Sequence, residues 1–256
     1  MFDSAYWGER LFNYCERGAD PGFWAEPLNA LSNICFIAAA LAGGLRLARH
    51  RHVGGHVGGH VDVGAGGRAV QQARLLLAGG LVGLAGLIGI GSFLFHTFAT
   101  RWAQLGDIVP IGLFMFAYMG FVLRYLGGWS PAMSSLAVAI FAVISLKASA
   151  ITCTGGGSCL NGSIAYLPAL AGLVIAGLVL RRRGDGSASW LLGAGAIFAI
   201  SLLFRTVDML LCDEVQISGY FSGTHFLWHM FNGLMLYMLL AAAIDALAGE
   251  SKIAGS

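Results

Sequence analysis

Leu75-Leu76-Leu77-Ala78-Gly79-Gly80-Leu81-Val82-Gly83-Leu84-Ala85-Gly86-Leu87-Ile88-Gly89-Ile90-Gly91-Ser92-Phe93-Leu94-Phe95-His96 carries no charged side chain between Arg74 and its closing histidine. A helix over this stretch crosses the hydrocarbon core of a bilayer, which takes about 20 apolar residues. Comparable runs recur along the chain, and spans are expected at approximately 28–48, 75–96, 106–126, 131–150, 163–180, 190–211 and 221–246. Only short connections remain between them, so residues 1–256 read as one polytopic domain. The expected fold class is all-α, a seven-transmembrane-helix bundle.

Composition points the same way. Hydrophobic residues make up 57% of the chain and charged residues 11%, against roughly 25% charged in soluble domains. Mean hydropathy is +0.74. These values exclude a soluble globular domain. The net charge of +2 and the scattered arginines give no nucleic-acid footprint. The 38 glycines suit helices that approach closely in lipid, and most need no other role.

The positive-inside rule sets an orientation. Arg46, Arg49, Arg51, Arg68, Arg74, Arg124, Arg181, Arg182, Arg183 and Lys252 fall on one side, ten of the fifteen basic residues. Arg10, Arg17 and Arg101 fall on the other, while Lys147 and Arg205 lie within spans. The amino terminus is therefore expected outside and the carboxyl terminus in the cytoplasm, as an odd number of spans requires. Residues 1–27, mixed polar and aromatic, do not follow the basic-then-apolar pattern of a cleavable signal and are expected to form an outer polar cap.

That topology brings polar residues from separate spans to one membrane level. His96 closes the second span at its outer end, Asp107 opens the third, and His225 and His229 stand in the first two turns of the seventh. His225 and His229, at i and i+4, project from one helix face, and Ser92 stands one turn before His96. Three histidines from two helices, with a carboxylate and a hydroxyl near, suit a zinc ion that keeps one position open for water. Such a centre in a lipid-facing bundle points to hydrolysis of a lipid. Asp107 is the expected base, taking a proton from water and returning it to a leaving amine; Ser92 is expected to donate to the oxyanion or to hold Asp107.

Other polar residues are read more plainly. His50, His52, His56 and His60 fall in a glycine-rich cytoplasmic loop expected over 49–74, a solvated linker that chelates metals weakly at most. In the cap, Asn13, Glu16, Asp20 and Glu26 offer oxygens to a hard cation such as calcium, or merely face water; the residues leave both readings open. Asn29, Ser32 and Asn33 lie within the first span, must find partners there, and are expected to support the site. Arg205 and Asp208, three residues apart in the sixth span, are either a functional pair or a structural ion pair. Lys147 snorkels. Cys15, Cys153, Cys159 and Cys212 map to outer segments, where disulfides can form: Cys153 with Cys159, and Cys15 with Cys212. Cys35 lies inside the first span.

Four ordered blocks carry a resemblance. They are Tyr14-Cys15-Glu16 with Glu26-Pro27-Leu28-Asn29-Ala30-Leu31-Ser32-Asn33; Gly89-Ile90-Gly91-Ser92-Phe93-Leu94-Phe95-His96 with Asp107 and Pro110; Asp208-Met209-Leu210-Leu211-Cys212; and His225-Phe226-Leu227-Trp228-His229. Together they resemble the alkaline ceramidase family, part of a seven-span hydrolase superfamily that includes adiponectin-type receptors. The resemblance covers most of the chain. It implies zinc on His96, His225 and His229, with Asp107 and Ser92 beside the water. It also implies calcium at Glu16 and Glu26, and a Cys15–Cys212 disulfide. Asn13 stands where that family usually has an aspartate, and the Glu16 to Glu26 spacing is one residue shorter; Asp20 would supply the missing charge.

The resulting expectation is a zinc-dependent intramembrane amidase. It would split ceramide-like lipids, drawn from the bilayer, into a fatty acid and a sphingoid-type amine. The alternative is a receptor or sensor of the adiponectin-receptor type with a structural or slowly hydrolytic zinc site. A retinal protein is a poor reading, because the last span has no lysine, and no inverted repeat suggests a transporter. Thirteen arginines against two lysines hint at a bacterial source. The site would face the non-cytoplasmic side of a bacterial inner membrane, or of the endoplasmic reticulum or Golgi.

Overall fold

The structure is a computed structural model that describes residues 4–57, 65–153, 159–217 and 219–249. A short helix α1 (Ser4–Gly8) and an irregular cap lead into α2 (Pro27–Ser32) and α3 (Ile34–Val57). Then come α4 (Ala65–Phe98), α5 (Arg101–Phe121), α6 (Pro131–Ser149), α7 (Leu167–Arg182), α8 (Ser187–Val207) and α9 (His225–Gly249). A two-residue ribbon, β1 (Gln216–Ile217) against antiparallel β2 (Tyr220–Phe221), sits between α8 and α9. Among the described residues, seven segments are long and apolar enough to cross a membrane: Pro27–His50, Ala69–Phe98, Arg101–Leu126, Pro131–Ser149, Cys159–Arg182, Ser187–Val207 and His225–Leu247. Helices are the outcome because a backbone in lipid must satisfy its own N–H and C=O groups.

Several boundaries differ from the sequence reading, among them the start of the third span, at Arg101 rather than 106. The loop expected over 49–74 is largely helical, with α3 running through Val57 and α4 starting at Ala65. No proline interrupts either helix there, and a helix needs no lipid to continue. His50, placed in that loop, stands on α3 with Nε2 3.3 Å from Asp245 Oδ1, beside an Arg46–Asp245 ion pair at 2.6 Å. His60 and the side chains of His52 and His56 lie outside the described residues. The sixth span ends at Val207 rather than 211, and the seventh begins at His225 rather than 221. The segment between is drawn out of the helical path by Asp208 and by the Cys15–Cys212 disulfide.

The core is centred on α9. Leu236, Leu239, Leu240, Ala242, Ala243 and Ile244 are buried against α3, α4 and α8. Side chains such as Leu41, Leu76, Leu87, Ile144 and Leu203 are exposed outward, where only lipid leaves them without penalty. The cap is tied to the bundle by Leu11 N–H on Ala99 O at 2.7 Å, by Arg101 N–H on Glu9 O at 3.1 Å, and by Tyr14 packing with Phe95 and Ala103.

Candidate metal centre

The three histidines converge. His96, in the last turn of α4, and His225 and His229, in the first two turns of α9, are each 1% exposed. Their ring centroids are 5.2 Å (His96–His225), 4.7 Å (His96–His229) and 4.7 Å (His225–His229) apart. Each offers one nitrogen to a set lying within 4.8 Å of one another. Among the described residues, this is the group of histidine, cysteine and acidic side chains close enough to share an ion.

Neighbouring groups fix which nitrogens face inward. His96 Nδ1 lies 2.5 Å from Glu26 Oε2, so it donates there and turns Nε2 toward the other rings. His229 Nδ1 lies 2.8 Å from Ser32 Oγ, whose proton goes to Asn29 O at 2.9 Å; the imidazole is the donor there, which leaves Nε2 as its acceptor nitrogen. Such outer hydrogen bonds select the tautomer a metal ligand needs. His96 Nε2 and His225 Nδ1 are buried with no hydrogen-bond partner, and a buried polar atom left without a partner is costly. Three imidazoles, near a carboxylate with one unpartnered oxygen, fit a zinc-type ion.

That carboxylate is Asp107, whose Oδ1 is buried without a partner. Ser92 lies beside it, and both line an apolar cavity together with His225, His229 and Arg205. Pro110 lies inside α5, where its missing N–H leaves the carbonyl of Gly106 without a donor one turn back. Gly91 packs onto that carbonyl, which brings α4 close enough for Ser92 to meet Asp107.

Asp208 organises the entry to α9. It is fully buried and accepts from Cys15 N–H at 3.1 Å, Thr224 N–H at 2.7 Å and His225 N–H at 2.9 Å. Burial pushes its carboxyl above the ordinary value, and the three N–H groups act against that. Gly223, at φ +58°, makes this approach possible: a Cβ there would stand 2.2 Å from Asp208 Oδ1. The Arg205–Asp208 ion pair considered from the sequence does not form. Arg205 instead lies over the rings of Tyr14, Tyr166 and Trp228, its carbon centre 5.8, 5.5 and 5.3 Å from their centroids.

The cap residues that could hold calcium are engaged within the chain. Glu16 accepts the N–H groups of Leu28 at 2.7 Å and Asn29 at 2.8 Å, at the start of α2. Burial pushes its carboxyl up to about 7. Glu26 is paired with Arg17 and His96, and Asn29 Nδ2 donates to it at 3.1 Å. Burial would raise the Glu26 carboxyl, but His96 and Arg17 together hold it below the ordinary value. Asp20 is exposed and accepts Gly22 N–H at 2.7 Å, and Asn13 is exposed. Among the described residues, Glu16, Glu26 and Asp20 do not form a group close enough to share an ion. Each has a donor, and the cation nearest Glu26 belongs to the chain. Asn33 Nδ2 donates to Asn29 O at 2.8 Å, closing the bend between α2 and α3. Both disulfides expected as options are formed, Cys15–Cys212 and Cys153–Cys159.

Sequence reasoning missed two residues of the centre. Arg17 reads as an ordinary outer charge but is 2% exposed. Tyr14 stacks on His225 with centroids 3.9 Å apart, and burial pushes its phenol up to about 12. Its place at the head of the Tyr14-Cys15-Glu16 block was the available signal.

No curated protein matches the chain. The ceramidase family model matches residues 11–252, from within the cap to beyond the last span. With a match over nearly its whole length, and with the quoted blocks meeting at one buried centre, the chain belongs to the ceramidase family.

Proposed function

We propose that the protein is a zinc-dependent intramembrane amidase that hydrolyses the N-acyl bond of ceramide-like lipids. Membership of the ceramidase family supports the reaction class. The observation that carries the reading is the meeting of His96, His225 and His229, two of which line one apolar cavity with Asp107 and Ser92. Phe114, Phe141, Leu173, Phe198 and Leu236 line that cavity, which suits an acyl chain. A lipid amide then reaches the polar end without leaving an apolar environment.

His96, His225 and His229 would hold the ion, which when bound supplies a Lewis acid and makes water acidic near neutral pH. The chain does the rest. Asp107 accepts a proton from the attacking water and returns it to the amine that leaves. Ser92 donates a hydrogen bond, either to oxygen as it gains charge or to Asp107. Glu26 and Ser32 keep His96 and His229 in the required tautomers. Asp208 holds the first turn of α9 and with it His225. The centre is placed on the non-cytoplasmic side, a reading supported by the positive-inside rule and by Cys15–Cys212 beside it.

Purified protein should carry one zinc per chain and release fatty acid from a panel of N-acyl sphingoid and other lipid amides. His225→Ala should lose metal and turnover together. Full activity in zinc-free protein would end the proposal.

A further inference from the structure

The cap above the centre contains a cation of its own. None of the Arg17 side-chain surface is accessible. Its Nε donates to Glu26 Oε1, its Nη1 to Asp20 O at 3.1 Å and Gly22 O at 2.9 Å, and its Nη2 to His96 O at 2.9 Å and Thr97 O at 3.4 Å. A guanidinium has five N–H donors, and here five oxygens meet them. One carboxylate with four carbonyls is the kind of oxygen shell a hard cation collects. We propose that the Arg17 guanidinium is the resident cation of the cap, taking the place a calcium ion would occupy, and that Arg17 is a positioning residue for His96.

Two features support the first part. The acidic groups that could bind calcium already have donors: Glu16 on two N–H groups of α2, Asp20 on Gly22, and Glu26 on Arg17, His96 and Asn29. A divalent ion beside a buried guanidinium would also set like charges together in a low-dielectric site, where repulsion is strongest.

The second part rests on the zinc reading above. Arg17 holds His96 at two points. It donates directly to the His96 backbone carbonyl, and through Glu26 it fixes the carboxylate that accepts from His96 Nδ1. Main chain and ring of one ligand are thus aligned by one planar group. Lysine has the charge but not the fork, and cannot make all five contacts.

The test uses the full chain in detergent. Radioactive calcium retention and the thermal midpoint in calcium against EGTA are measured on the wild type. No bound calcium and an unchanged midpoint are expected; one calcium per chain, with a midpoint that rises, would overturn the internal cation. Zinc affinity is then measured by competition with a chromophoric chelator for Arg17→Lys, Arg17→Ala and the control Asn13→Ala. Arg17→Ala should bind zinc about 10- to 100-fold more weakly, Arg17→Lys should recover part of that loss, and Asn13→Ala should match the wild type. Wild-type zinc affinity in Arg17→Lys, with Arg17→Ala equal or unfolded, would overturn the positioning role. Chelator competition needs no substrate, so failure to hydrolyse any lipid amide would count against the substrate reading and leave this result standing.

Discussion

The carbonyl oxygen of Gly106 lies 1.9 Å from the point where a Cβ on Gly91 would stand. Pro110 withdraws the N–H that would normally bond that carbonyl, and α4 fills the space with bare backbone. Ser92 and Asp107, the next residues along each helix, are brought side by side as a result. Gly91→Ala must push α4 and α5 apart. It is expected to lower the thermal midpoint, through an overpacking cost of about 1–3 kcal/mol, and to cut lipid-amide turnover sharply. Gly79 faces open space on the same helix, so Gly79→Ala should leave turnover unchanged. Equal effects from the two variants would contradict this account.

Ser32 ties the first span to His229. Removing its hydroxyl in Ser32→Ala leaves His229 Nδ1 without that partner. Zinc affinity should fall about 10-fold or more, with the fold intact by circular dichroism. Unchanged zinc binding would show that the tautomer of His229 is set by another group.

Asp107 is not in the group assigned to the ion, so its removal separates chemistry from binding. Asp107→Asn should keep its zinc while kcat falls about 100- to 10,000-fold. Loss of zinc in step with activity would instead make Asp107 part of the ion's own shell.

Glu16 carries a pH signature. Its carboxyl is pushed by burial to about 7 in the folded chain, against an ordinary value of 4.5. Between those values the native state holds a proton that the unfolded chain releases. Stability from this group is therefore present below about pH 4.5 and is lost as pH rises through about 7. Wild type should show a falling thermal midpoint from pH 5 to about 7.5, and Glu16→Gln a flatter profile over the same range. Parallel profiles would remove Glu16 as the source.

Much of this protein was legible before any coordinate. Long uncharged runs such as 75–96 can only be spanning helices, because lipid offers a backbone no hydrogen bonds. The i, i+4 pair His225 and His229 had to share a face, and alternation of direction through the spans carried His96 to their level. The helix ends were less legible, since α3 continues past the apolar run into residues that water tolerates equally well in a helix or a loop.

What sequence alone determined was the class of structure and the identity of the histidines that meet, which follow from spacing, hydropathy and the alternation of the spans. Only the tertiary structure decided the partners. Glu26 could have served calcium, water or a histidine. It is held by Arg17 and His96 because the cap folds back across the end of α4, 70 residues away along the chain from His96. Pairing among buried charges depends on which groups are left within reach after packing, and no local pattern encodes that.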